Sequence, residues 1–283
     1  MAVRLIALDI DGTLLDSRWR VSEANREAIQ KATRYGIEVA LVTGRRYDFA
    51  LPVAQDLGCP LTMIVNNGGL IRSNDGRTRL KRLLCVKTAR TVLELGHPRR
   101  AGAAVIFDRP RENQLILERL DRDDSIRYAY YSRNLDFIGV VSPIEECLTE
   151  MPLQVMFSGT VAEMDALEQL LLASEVAAEI KLASTKYASK DFAMLDVLPQ
   201  GCTKGAALAN WAKAQGLQRD EILAIGDNHN DFEMLEFAGI AVVMQNSVPE
   251  LKTYGWHETH SNDESGVAAA IERFALNEAA SCA

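Results

Sequence analysis

The feature that most constrains this chain lies near its N-terminus, where Leu5-Ile6-Ala7-Leu8 runs straight into Asp9-Ile10-Asp11-Gly12-Thr13. A short apolar run bounded by polar residues reads as a buried strand. The two carboxylates then stand at its C-terminal end, followed by a turn-permissive glycine and a hydroxyl. In open α/β sheets that edge is where ligands bind. Asp9 and Asp11 are therefore the expected chemical centre.

The residues that follow repeat the same rhythm. Ser22 suits the N-cap of a helix running to about Ala32, with Ala24, Ala28, Ile29 and Ala32 on one face and Gly36 closing it. Ile37–Val42 reads as a second strand, ending in Thr43-Gly44-Arg45. After another helix, Leu61–Val65 reads as a third strand, ending in Asn66-Asn67-Gly68-Gly69. Strand and helix in alternation predict a parallel sheet with right-handed crossovers.

From about Leu84 to Ala193 the pattern changes to longer strands of antiparallel character, at Ala103–Asp108, Gln114–Glu118, Leu153–Ser158 and Glu179–Ser184. Helices are expected from Ser142-Pro143, an N-cap with proline behind it, and over Val161–Leu172, where Met164, Leu167, Leu171 and Leu172 recur at helical spacing. Alternation resumes near Met194. Thr203-Lys204-Gly205 opens a helix with Leu208, Trp211 and Ala212 on one face. Strands follow at Ile222–Ile225, before Gly226-Asp227, and at Ile240–Val243, and a last helix runs from Ser265 to Leu276. The expected architecture is a doubly wound, parallel (Rossmann-like) α/β core from residues 1-83 and 194-283, interrupted by an α+β domain over 84-193.

Composition closes off other classes. With 48% hydrophobic and 25% charged residues the chain is an ordinary globular sequence rather than a disordered one. Its net charge of −8 and lack of a basic stripe argue against nucleic acid as a partner. The five cysteines (Cys59, Cys85, Cys147, Cys202, Cys282) are scattered and odd in number, as in a cytoplasmic protein with reduced thiols. No signal peptide and no membrane span is expected, and the protein is read as cytoplasmic, a monomer or small homo-oligomer. His257-x-x-His260 lacks the neighbours of a transition-metal site, and Arg99-Arg100 reads as a solvated turn.

Four polar clusters fall at strand ends or a helix start: Asp9-x-Asp11, Thr43-Gly44, Lys204, and Gly226-Asp227-x-x-Asn230-Asp231. Any one alone reads as a turn, a strand exit or a solvated helix residue. Together they gather several carboxylates, a hydroxyl and an ammonium on one sheet edge. A fold gains nothing from crowding like charges unless a cation holds them. Hard carboxylate oxygens without nitrogen or sulfur company suit Mg²⁺. Thr43, the amides near Gly44 and Lys204 can surround a phosphoryl group, which is the inventory that phosphoryl transfer requires.

With these motifs in this order, the sequence resembles a haloacid dehalogenase (HAD) superfamily phosphatase of the Cof-like subfamily, with a type C2 α+β cap. The resemblance rests on Asp-x-Asp-Gly-Thr, Thr-Gly-Arg, Gly-x-x-Lys-Gly (Gly201 to Gly205) and Gly-Asp-x-x-Asn-Asp, with a cap-sized gap between the second and third. It implies a Mg²⁺-dependent phosphatase acting on a small phosphorylated metabolite, a sugar phosphate or similar. Asp9 would be the nucleophile, forming an aspartyl-phosphate. Asp11 would be the acid–base group. Mg²⁺ would be held by Asp9, the Asp11 backbone carbonyl and Asp227. Thr43, Gly44, Lys204 and Asn230 would bind the phosphoryl group, with Asp231 behind them. The cap would exclude water and select the leaving group. Two readings compete: a phosphosugar mutase of the same superfamily, and a catalytically idle module that binds a phospho-ligand. Ser247-Val248-Pro249 and Ser265-Gly266 depart from the family's usual residues without touching the motifs.

Overall fold

All four side chains of β1 (Leu5–Leu8) are buried, and the strand pairs in parallel with a neighbour on each side, as an uninterrupted apolar run demands. The computed structural model describes residues 2–187 and 190–276. It divides the chain into two units, one built from the residues up to Lys81 and from Thr203 onward, the other from Arg82–Cys202.

In the first unit β1 leads to α1 (Glu23–Arg34), where the Ser22 hydroxyl accepts the Asn25 N–H at 3.2 Å and Ala28, Ile29 and Ala32 are buried. β2 (Glu38–Val42), α2 (Tyr47–Asp56) and β3 (Thr62–Val65) continue the alternation. β4 (Leu70–Ser73) and β5 (Thr78–Lys81) then form a hairpin that extends the same sheet in antiparallel fashion.

The second unit carries α3 (Val86–Leu95), β6 (Ala103–Ile106), β7 (Leu115–Leu117), α4 (Ser125–Tyr131), β8 (Ile138–Val140), β9 (Gln154–Gly159), α5 (Val161–Leu172), β10 (Ile180–Tyr187) and β11 (Phe192–Pro199). Its six-stranded sheet runs β10-β11-β9-β6-β7-β8 and is antiparallel except for β7 and β8. Val92 and Leu93 of α3 and Met164, Leu167 and Leu171 of α5 share a core with Val155, Phe157 and Leu195 of the sheet. Thr160 and Glu163 close a capping box at the start of α5.

Three expectations are corrected. The units part at 81/82 and 202/203 rather than at 83/84 and 193/194. The second shift is the larger, because Met194 lies within β11, paired with β10 and β9; its apolar run resembles a core strand in sequence. Only a 3-10 turn, Ile144–Cys147, follows Pro143 rather than a helix. Arg100 is not a solvated turn residue: it bridges Glu118 at 2.7 Å and Glu145 at 2.6 Å.

The chain returns to the first unit with α6 (Lys204–Ala214), β12 (Ile222–Gly226), α7 (Phe232–Phe237), β13 (Ile240–Val243), β14 (His257–Glu258) and α8 (Gly266–Ile271), which a π-helical turn extends to Leu276. The sheet order is β14-β13-β12-β1-β2-β3-β4-β5, parallel from β14 through β3. This is the expected mixed α/β architecture with a parallel central sheet. β1 is where the order reverses: the chain first fills β2 and β3 on one side, then β12 and β13 on the other. A crevice opens at such a switch point. The Asp9, Thr43 and Asp227 strand ends meet there because β1 lies between β12 and β2. Cys59, Cys85, Cys147 and Cys202 are unpaired, and Cys282 lies outside the described residues. Among the described residues no helix is long and apolar enough to cross a membrane.

Candidate active site

Each functional side chain hangs from the end of a buried element. The Asp9 N–H donates to the Ile225 carbonyl at 3.1 Å and the Thr43 N–H to the Ile64 carbonyl at 2.9 Å, so both residues extend the parallel ladder by one step. Lys204 opens α6, whose N-cap is the Thr203 hydroxyl, accepting from the Ala206 N–H at 3.0 Å.

The centre is a buried ion cluster. Lys204 Nζ donates to Asp9 Oδ1 at 2.5 Å and to Asp231 Oδ1 at 2.7 Å, and all three side chains are almost fully enclosed. Asp231 Oδ2 accepts the backbone N–H groups of Asp227 at 3.0 Å and Asn228 at 3.1 Å. Asp227 Oδ1 accepts the Thr13 hydroxyl at 2.8 Å. Carboxylate oxygens of Asp9, Asp227 and Asp231 all lie within 4.8 Å of one another.

Three buried carboxylates share one ammonium, and the electrostatics show it. Burial, then Asp231, pushes the Asp9 carboxyl well above its ordinary range, against the pull of Lys204. Burial and Asp231 likewise raise Asp227 to about 7. Burial alone would depress Lys204, but Asp231 and Asp9 outweigh it and hold the ammonium above its ordinary value. One lysine therefore leaves negative charge unbalanced.

That imbalance is the test for a metal, and the residues fit a hard divalent cation. All donors are oxygens. Both oxygens of Asp231 are engaged by Lys204 and the backbone. Asp9 and Asp227 each keep one oxygen, Oδ2, that makes no hydrogen bond among the described residues. Asp231 thus acts as the brace that holds Lys204 and the 227–228 turn, while Asp9 and Asp227 are the donors left for a cation.

The Asp11 side chain is directed elsewhere. It takes a bidentate pair from Arg45, Nη2 to Oδ1 at 2.6 Å and Nε to Oδ2 at 2.8 Å. Thr43 is buried, and its hydroxyl accepts the Arg45 N–H at 3.1 Å. The Asn66 N–H reaches the Arg45 carbonyl at 2.9 Å and the Asn67 N–H the Thr43 carbonyl at 3.1 Å, so the loops after β2 and β3 are stitched together. A Cβ on Gly44 would stand 3.1 Å from Asn67 Oδ1, which leaves that turn tightly packed. Asn230 is exposed on the 3-10 turn His229–Asp231.

The structure thus brings Asp9, Lys204, Asp227 and Asp231 into direct contact or near it, with Asp11 beside them on the same strand exit. Sequence reasoning missed two partners. Thr13 already sits in the Asp-x-Asp-Gly-Thr motif, and its hydroxyl was the available signal. Arg45 follows Thr43-Gly44, but its pairing with Asp11 depends on β1 and β2 being neighbours. His257 packs against Phe274, with the rings tilted and their centroids 4.7 Å apart, and joins no metal-ligating group among the described residues.

Known proteins share both the sequence and the fold. The sequence profile of the haloacid dehalogenase-like hydrolases matches residues 6–271. An HMP-PP phosphatase of Serratia proteamaculans is 31% identical, over 88% of this chain and 86% of its own. A 5-amino-6-(5-phospho-D-ribitylamino)uracil phosphatase of Bacillus subtilis is 29% identical, over 96% and 98% respectively. A haloacid dehalogenase-like hydrolase of Bacteroides thetaiotaomicron superposes with a TM-score of 0.80 at 26% identity, over 96% of this chain and 99% of that one. The chain belongs to the haloacid dehalogenase-like hydrolase family and is one of its phosphatases.

Proposed function

We propose that this phosphatase hydrolyses the phosphomonoester of a small metabolite, a sugar phosphate or similar, with Mg²⁺ and through an aspartyl-phosphate on Asp9. Asp9 attacks phosphorus through a carboxylate oxygen, and the bond from phosphorus to the leaving oxygen breaks as Asp11 delivers a proton to that oxygen. Asp11 then takes a proton from water, which attacks the aspartyl-phosphate, releases phosphate and restores Asp9. Lys204 fixes the nucleophile and offsets charge as the phosphoryl group approaches, and Thr43, Gly44 and Asn230 line its place. Mg²⁺, held by Asp9, Asp227 and the Asp11 carbonyl, would neutralise phosphoryl oxygens when bound. The unpaired thiols support a reducing, cytoplasmic setting.

The observation that carries this reading is the enclosed Lys204 ammonium, 2.5 Å from Asp9 Oδ1 and 2.7 Å from Asp231 Oδ1, beside an Asp9 oxygen left without a hydrogen bond. A mere structural ion pair does not need a third buried carboxylate beside it. The named substrate of the Bacillus subtilis relative supports a small phosphorylated metabolite.

A phosphate-release assay over a panel of phosphorylated metabolites with Mg²⁺ tests it. Release from at least one is expected, EDTA stops it, and Asp9→Asn lowers turnover by about a thousandfold or more while the fold persists. Retained turnover in that variant removes Asp9 as nucleophile. Phosphate that moves between sugar positions without release, and only with a bisphosphate present, selects the mutase instead.

A further inference from the structure

Arg45 is the residue that the chemistry above does not use, and it is the one fastened to Asp11. Its guanidinium spans both carboxylate oxygens, at 2.6 and 2.8 Å, and among the described residues its third nitrogen reaches only the Phe49 carbonyl, at 3.5 Å. The pair is not buried: the Asp11 side chain is 42% exposed and that of Arg45 18%. Ordinary surface ion pairs contribute little to stability, but bidentate geometry sets this one apart, and it is held with care. The Arg45 backbone is pinned between Thr43 Oγ1, which accepts its N–H at 3.1 Å, and Asn66, whose N–H its carbonyl accepts at 2.9 Å. The guanidinium carbon also sits over the Trp19 ring, 5.6 Å from its centroid.

Trp19 is an unusual support. It is 64% exposed, and its backbone lies in the left-handed region at φ 61°, which an aromatic residue adopts only when its surroundings impose it. The surroundings are present. The Asp16 carboxylate accepts the N–H groups of Arg18 at 2.8 Å and Arg20 at 2.9 Å, and the Asp16 carbonyl accepts the Trp19 N–H at 2.9 Å. The Ser17 N–H is tied to Asp263 at 2.8 Å. The hydrogen-bonded turn thus presents an indole to the same guanidinium that grips Asp11.

We propose that Arg45, seated on Trp19, is a positioning residue for the leaving-group step: it fixes where the Asp11 carboxylate stands, and so how well that carboxylate serves the departing oxygen. The inference rests on the acid–base reading of Asp11. A carboxylate on an exposed strand exit has free rotation about two bonds, and a proton donor misplaced by an ångström loses much of its effect. A planar two-pronged donor removes both rotations, which a lysine cannot do. Because that pairing favours the ionised carboxylate, the oxygen that takes the proton gives up its prong, while the other keeps its bond to Arg45 and so its place.

The test is dependence on the leaving group. An alkyl phosphate must have its leaving oxygen protonated, whereas p-nitrophenyl phosphate expels a stable phenolate and depends little on the acid. Arg45→Ala should lower kcat/KM for an alkyl phosphate about tenfold more than for p-nitrophenyl phosphate, with Arg45→Lys giving part of that difference and Trp19→Ala a smaller one of the same sign. In an Asp11→Asn background Arg45→Ala should add about twofold or less, since both act at one point. Equal losses on the two substrates, or a full further loss in Asp11→Asn, overturn the proposal and reduce the pair to a structural contact. Activity on p-nitrophenyl phosphate reports folding, and should Arg45→Ala fail to fold, Arg45→Gln carries the same comparison. Asp11→Asn alone tells the two failures apart. If it shows no leaving-group dependence, the acid–base reading of Asp11 falls and the inference with it. If it shows strong dependence while the Arg45 variants show none, only the inference falls.

Discussion

Gly12 shows how closely single positions are specified at the site. Its φ of +84° lies in the region that glycine enters freely, and a Cβ there would stand 2.4 Å from Asp227 Oδ2, the oxygen proposed to meet Mg²⁺. Gly12→Ala should therefore strain the backbone by about 1–2 kcal/mol and displace Asp227. The expected result is a fold that still forms, a drop in turnover of about a hundredfold, and a higher Mg²⁺ concentration at half activity. Unchanged Mg²⁺ dependence would show that the Asp227 oxygen is not a metal donor. Asp9, Lys204 and Asp227 were legible in the sequence because each ends an apolar run or begins a helix, and their order along the chain narrows the chemistry. The Thr13 bond to Asp227 and the Arg45 grip on Asp11 were not. They span 214 and 34 residues and exist only once β1 lies between β12 and β2. The double engagement of Asp231 is of the same kind, since its oxygens are claimed by backbone groups whose direction no side-chain pattern encodes.

Lys204 reaches Asp9 only because α6 is held where it is, and α6 packs against α7 through Gly205. A Cβ on Gly205 would lie 2.5 Å from the backbone carbonyl group of Glu233 in α7, a neighbour that cannot swing aside. Thr203, the N-cap of α6, also hydrogen-bonds Glu233, so the two helices are joined at the same point. Gly205→Ala should force them apart at a destabilisation of about 1–3 kcal/mol, read as a fall in Tm of several degrees. Turnover should fall as well, because Asp231 sits at the head of α7 and braces Lys204. An unchanged Tm would mean the helices are not in close contact there. The strands β1, β2, β3, β12 and β13 could be read directly, since each is a buried apolar run with a polar exit. β11 could not be assigned to its sheet, because Leu195, Val197 and Leu198 around Asp196 suit a strand of either unit and only its pairing with β9 and β10 sets it in the second. β8 and β14, three and two residues long, are too short for any period to show. The β4–β5 hairpin carries few buried side chains beyond Leu70 and Ile71, so no apolar run marks it.

The molecule as a whole carries a net charge of −8 and folds with three carboxylates enclosed around one ammonium. This arrangement links stability, pH and metal. Asp227 is raised to about 7 and Asp9 is raised well above its ordinary value, so without metal the folded state keeps protons that the unfolded chain releases near pH 4. The unfolded state then binds fewer protons between about pH 4 and 7, and the slope of unfolding free energy with pH is negative there. The stability that these two groups contribute is present at low pH and lost as pH rises through the folded values. Lys204, raised rather than lowered, stays charged in both states across this window and does not alter the sign. A divalent cation binds the deprotonated carboxylates and competes with those protons, so it restores most stability where most has been lost. Thermal melts with and without saturating Mg²⁺ should therefore show a larger rise in Tm at pH 8 than at pH 5, with calcium a weaker substitute if the site demands small, octahedral geometry. In Asp227→Asn the pH dependence of that rise should weaken but persist, because one of the two titrating donors is gone and Asp9 remains. A Mg²⁺ shift that is equal at both pH values, or larger at pH 5, would mean that the buried carboxylates are not the groups that hold the ion.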